Sequence, residues 1–163
     1  MILDVFIIAL ILSLVTKRIR AVINYDYKLL YLFPVPFILQ VIPGPKFWLM
    51  LVSFALLIFL LLINRKIPGF TFIAAGMTLN AFIMLVNGGK MPVLESLAAA
   101  MNLGMDERHV LTDWNYWGMV LGDWIPAPLP WGRRFIISPG DILVYIGIFI
   151  LFLKVRKAKS LSS

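Results

Sequence analysis

The sequence predicts an all-α fold, a polytopic transmembrane helix bundle of about five spans, and three observations predict it. The chain is 61% hydrophobic and only 14% charged over 163 residues, where soluble domains run at about 45–50% and roughly 25%. Its mean hydropathy is +0.94. Five apolar stretches, 2–16, 27–42, 47–63, 68–86 and 136–154, approach the roughly 20 residues that a helix needs to cross a hydrocarbon core. The chain reads as a single integral membrane domain, 1–163, with a long segment at 87–135 between the fourth and fifth stretches.

This composition excludes a disordered chain, a collagen-like fibre and a nucleic-acid-binding domain. The net charge of +7 is therefore a matter of membrane orientation, because Lys and Arg collect on the cytoplasmic side. With the N-terminus outside and the C-terminus cytoplasmic, only Lys46, Lys90, Arg108, Arg133 and Arg134 of the 15 basic residues fall in outer segments. Lys154, Arg156, Lys157 and Lys159 then close the cytoplasmic end, and of the acidic residues only Asp26 lies inside. The reading places the chain as a multi-pass protein of the bacterial inner membrane. The absence of cysteine excludes disulfides, thiolate metal sites and iron–sulfur clusters.

The first stretch is short, but Lys17, Arg18 and Arg20 lengthen it by lifting their charges to the interface. It is no signal peptide, since Asp4 precedes the apolar run and the basic pair follows it. Trp48, Trp114, Trp117, Trp124 and Trp131 fall at outer edges, where indole rings settle at headgroup level. The second stretch carries Pro34 and Pro36, which remove backbone donors and kink or break a helix. The kink is either a hinge or cavity wall, or a packing feature. The third is nearly uniform, with Ser53 its one polar side chain before Asn64, and reads as the most lipid-exposed helix. In the fourth, Gly76, Asn80, Ile83 and Asn87 form a small and polar stripe that points at protein.

The outer segment opens on Asn87-Gly88-Gly89-Lys90-Met91-Pro92, a turn whose glycines take positive φ at low cost. Its amides are either those of an ordinary turn or an anion nest. A helix is expected over about 92–103, lying at the interface and ending at Gly104. His109, the only histidine, stands beside Asp106, Glu107 and Arg108 and four residues before Asp113. It is a general base on one reading and part of a solvated loop on the other, where Thr112 or Asp113 caps a short helix. Without a second histidine or any cysteine no metal is expected, and no cofactor is expected either.

Asp123 sits among apolar and aromatic neighbours in Leu121-Gly122-Asp123-Trp124-Ile125-Pro126, where an ionised carboxylate is costly unless paired. Either Arg133 or Arg134 latches it, or it stays free with a raised pKa as an acid or base. Ser138-Pro139-Gly140-Asp141 has a capping-box pattern with Asp in place of Glu. Gly140, a poor helix former, marks a close approach of backbone or ligand.

These short motifs, in their order and spacing, resemble an uncharacterised family of small bacterial integral membrane proteins, a domain of unknown function. The resemblance rests on Asn80 with Asn87-Gly88-Gly89 and Met91-Pro92, on His109, on Leu121-Gly122-Asp123 with Pro126, and on Ser138, Gly140 and Asp141. It implies a bacterial membrane protein and transfers no activity; Pro139 departs from the apolar residue expected there.

Three functions compete. The first is an outward-facing site for a lipid headgroup or lipid-linked phosphate, with His109, Asp123 and Asp141 as candidate catalytic residues. Asn80, Asn87, Gly88, Gly89, Arg133, Arg134, Ser138 and Gly140 are its candidate anion-binding residues. The second is a structural or accessory subunit that docks a membrane-protein partner through its aromatic outer segment. A small transporter ranks third, because no charged residue lies within a span's middle. Membrane lipids are the expected partners, and nucleic acid is not.

Overall fold

The computed structural model describes residues 2–42, 46–104, 107–129 and 131–153. Four longer helices carry the fold: α1 (Ile2–Val15), α4 (Lys46–Ile63), α5 (Phe70–Val86) and α7 (Pro139–Leu153). Shorter ones are α2 (Ile19–Ile23), α3 (Val35–Val41) and α6 (Glu95–Ala100). The four strands are β1 (Met91–Leu94), β2 (His109–Thr112), β3 (Ile125–Pro128) and β4 (Arg134–Ile137). Lys154, Arg156, Lys157, Lys159 and Asp106, which figured in the charge reading, lie outside the described residues.

The expectation of an all-α transmembrane bundle is overturned. Among the described residues no helix is long and apolar enough to cross a membrane. The longest, α4, has 18 residues, about 27 Å at roughly 1.5 Å per residue, against a hydrocarbon core of about 30 Å. With the spans fall the inside and outside assignment and the multi-pass inner-membrane location. The strands correct the fold class itself.

Each apolar stretch does contain helix, with local chemistry setting its ends. The 27–42 stretch is not one kinked helix. It holds a 3-10 turn at Leu30–Leu32 and then α3, with Pro34 at its N-cap and Pro36 in its first turn, where a missing N–H costs nothing. The third stretch is covered on two sides, since α4 packs against both α3 and α5. Ser53 is buried there, donates to the Pro36 carbonyl at 2.7 Å and accepts from Gln40 at 2.8 Å. Much of the apolar composition nonetheless stays on the surface, including Phe6 and Ile11 of α1, Trp48 and Phe59 of α4, and Phe72 and Phe82 of α5.

The centre of the molecule is the α5–α7 pair, flanked by α1 on one side and α4 on the other. Glycines make the two backbones meet. A side chain at Gly76 would run into the Gly140 carbonyl, and one at Gly69 into the Gly147 carbonyl. Of the stripe of Gly76, Asn80, Ile83 and Asn87, the first three are buried and Asn87 is half-buried, and Gly76 and Asn80 meet α7. Val5, Ala9, Val144, Ile148 and Phe152 close the α1 side, while Leu57, Leu61, Phe70 and Ala74 close the α4 side.

In place of an interfacial helix over 92–103 the chain runs through β1 before the six residues of α6. β1 pairs in parallel with β2, Met91 opposite His109 and Val93 opposite Leu111. On β1's other edge Asp123 donates its N–H to the Pro92 carbonyl at 2.8 Å and accepts from the Leu94 N–H at 2.9 Å. β3 and β4 form an antiparallel hairpin, Ile125 opposite Ile137. It delivers the chain to Ser138 and α7.

Candidate functional site

α7 starts with a reciprocal cap. The Asp141 N–H donates to Ser138 Oγ at 3.0 Å, and the Ser138 N–H donates to Asp141 Oδ2 at 3.1 Å, the pattern of a capping box with the shorter acid. Asn80 of α5 joins this cap, donating from Nδ2 to Asp141 Oδ1 at 2.9 Å and accepting from Ser138 Oγ at 2.9 Å. Gly140 is explained by the same contact, because a side chain there would collide with the Asn80 carboxamide. Asn80, Ser138 and Gly140 are buried and Asp141 is half-buried, and their hydrogen bonds link α5 to the start of α7 and hold the Asp141 carboxylate.

Asp123 stands nearby under different conditions. It is 7% exposed, and its Oδ1 has no hydrogen-bond partner among the described residues. Burial, reinforced by the negative charge of Asp141, pushes its pKa up to about 8, so it carries a proton at neutral pH. His109 Nε2 lies 3.9 Å from Asp123 Oδ2, beyond direct hydrogen-bonding range. Tyr145 shares the field: burial and then the charges of Asp141, Asp123 and Asp4 push its hydroxyl pKa up.

His109, Asp123 and Asp141 line one open cavity of about 1060 Å³. Strand register brings in cations that sequence reading did not place there. Met91 opposite His109 puts Lys90 beside Arg108 at the strand entrances, where the Met91 N–H donates to the Arg108 carbonyl at 2.8 Å, and both side chains line the cavity. The facing wall is apolar, with Leu39 from α3, Phe47, Met50 and Phe54 from α4, and Met84 from α5. Gln40 and Glu107 complete the polar rim. Nothing local in the sequence marks Lys90 or Arg108 for this role, since their adjacency exists only once β1 and β2 pair.

The glycine turn is placed differently from an anion nest. The Asn87, Gly89 and Lys90 amides donate to the carbonyls of Ile83, Met84 and Asn87, closing α5. Asn87 Nδ2 donates to the Lys90 carbonyl at 3.0 Å. Gly88 and Gly89 border the cavity, and the Phe47 ring packs where a Gly89 side chain would project.

The latch on Asp123 is not formed by either arginine. Arg133 Nη1 donates instead to Asp4 Oδ1 at 2.7 Å, tying the hairpin to α1, and its guanidinium lies 4.9 Å from the Phe135 ring centre. Arg134 lines a second, smaller cavity of about 280 Å³ that also borders His109 and Asp123. If the Asp4 contact is what holds the hairpin to α1, Arg133→Gln and Asp4→Asn each lower the Tm, and the double variant is no less stable than the worse single one. Thermal melts of all four proteins check this; additive losses would mean that the two side chains act separately.

Among the described residues no group of His, Asp and Glu could hold a metal ion. No solved structure matches the chain. An uncharacterized protein from Thermotoga maritima is 50% identical over 152 residues, covering 93% of this chain and 90% of the relative. The model of a family of unknown function, DUF5317, matches residues 2–153, so the chain belongs to that family.

Proposed function

We propose that the larger cavity binds an amphiphile with an anionic head, of the class of a lipid headgroup or a lipid-linked phosphate. The observation that carries this is the division of one cavity into two chemistries. Lys90, Arg108, His109 and the protonated Asp123 offer donors and positive charge, while Leu39, Phe47, Met50, Phe54 and Met84 offer an apolar wall. Anionic oxygens gain charge-assisted hydrogen bonds from the first group. A hydrocarbon chain gains about 0.8 kcal/mol per buried CH₂ from the second. Asp141 is a positioning residue in this reading, because its oxygens are occupied by Asn80 and Ser138. The reacting or binding groups are His109 and Asp123.

Dodecyl phosphate and dodecanol, each below its micelle threshold, test the reading by their effect on thermal unfolding. A ligand that binds only the folded state raises stability by about 2.7 kcal/mol at a hundredfold excess over Kd. Dodecyl phosphate is expected to raise the Tm well above the effect of dodecanol. The Lys90→Ala/Arg108→Ala protein should lose that difference while keeping the smaller dodecanol shift. Equal shifts from both compounds in the parent would refute an anionic-head site.

A further inference from the structure

The wall formed by His109 and Asp123 has two sides. One faces the amphiphile cavity and the other the smaller cavity of about 280 Å³, whose remaining polar side chain is that of Arg134. We infer that this second cavity is a separate site for a small free oxyanion, of the class of inorganic phosphate, held between Arg134 and the His109–Asp123 pair.

Several observations support it. Arg134 is exposed and makes no hydrogen bond or ion pair among the described residues, unlike its neighbour Arg133, which is tied to Asp4. A guanidinium at a cavity edge presents a planar fork of donors suited to phosphate oxygens. Asp123, which lines the same cavity, is buried and its Oδ1 has no hydrogen-bond partner among the described residues, an arrangement that carries a desolvation cost. Because burial keeps this carboxyl protonated at neutral pH, it meets an anion as a donor. His109 lines the same cavity, its Nε2 3.9 Å from Asp123 Oδ2. The other side chains on the lining, those of Val93, Leu103, Phe135 and Ile136, are apolar. The hairpin register fixes where this side chain starts, since Arg134 pairs with Pro128 at the turn end of β3–β4.

The inference differs from the amphiphile reading in its cation, because Arg134 does not line the larger cavity, while His109 and Asp123 border both. Isothermal titration of the full chain with inorganic phosphate, without any amphiphile, tests it. Binding with a Kd at or below about 1 mM is expected in the parent. Arg134→Gln should weaken it at least tenfold, and Arg108→Gln should leave it unchanged. Arg134 is exposed, so its variant should retain the parental melt, and the melt is recorded beside each titration. Loss of phosphate binding in Arg108→Gln but not in Arg134→Gln would move the anion to the larger cavity and overturn the proposal. So would an absence of phosphate binding in the parent. Failure of dodecyl phosphate to bind would remove the amphiphile site and leave this one standing.

Discussion

Replacing Asp123 with Asn should flatten the pH dependence of stability and make the protein more stable than its parent at pH 8 and above. Below pH 3.8, the ordinary value for this carboxyl, both folded and unfolded states hold the proton and Asp123 contributes no pH dependence. Between there and about 8 the folded protein keeps the proton while the unfolded chain releases it. Stability therefore falls as pH rises through that window and levels off above it. A shift of this size corresponds to on the order of 5 kcal/mol at about 1.4 kcal/mol per pH unit. The carboxamide of Asn has no charge to desolvate, so the variant escapes this loss. Urea unfolding of both proteins at several pH values between 4 and 9 reads the effect. Parallel stability curves would show that the folded protein solvates the Asp123 carboxylate after all.

Gly76→Ala should be more damaging than any surface change, with a loss above about 3 kcal/mol or failure to fold. The added methyl group would overlap the Gly140 carbonyl and stand 2.9 Å from the Val144 backbone nitrogen. Backbone atoms on two packed helices move aside only by separating the helices. That separation would also pull Asn80 from Ser138 and Asp141. Gly104→Ala is the control, because no atom lies within 4 Å of its new methyl position. Its stability should stay within about 0.5 kcal/mol of the parent. Equal melts for the two variants would mean that α5 and α7 do not meet through their glycines.

The site residues flagged from sequence divide by the range of the interaction that places them. Ser138 and Asp141 lie three residues apart, and their cap was legible because its geometry is local. Gly140 was flagged as a residue whose missing side chain lets something approach; that it is the Asn80 carboxamide follows only from packing. Asp123 was singled out as an acid in apolar company, and burial bears out its raised pKa. Its proposed arginine partners were wrong because proximity in sequence does not survive the hairpin, which turns Arg133 toward Asp4. Lys90 and Arg108 were invisible as a pair, since seventeen intervening positions separate residues that only strand register unites.

By itself the sequence determined the positions of the longer helices, the glycine turn that closes α5 and the cap that opens α7. These depend on propensity, side-chain pattern and hydrogen bonds spanning a few residues. Hydropathy read as span length went further than local physics allows. Apolar content reports how much a stretch gains by leaving water, whereas length and pairing depend on where the chain turns. Only the tertiary structure decided that no helix among the described residues is long and apolar enough to cross a membrane, that β1 through β4 pair, and that His109, Asp123 and two cations meet at one cavity. Those outcomes rest on contacts between residues far apart in sequence, whose energies exist only after the backbone has brought them together.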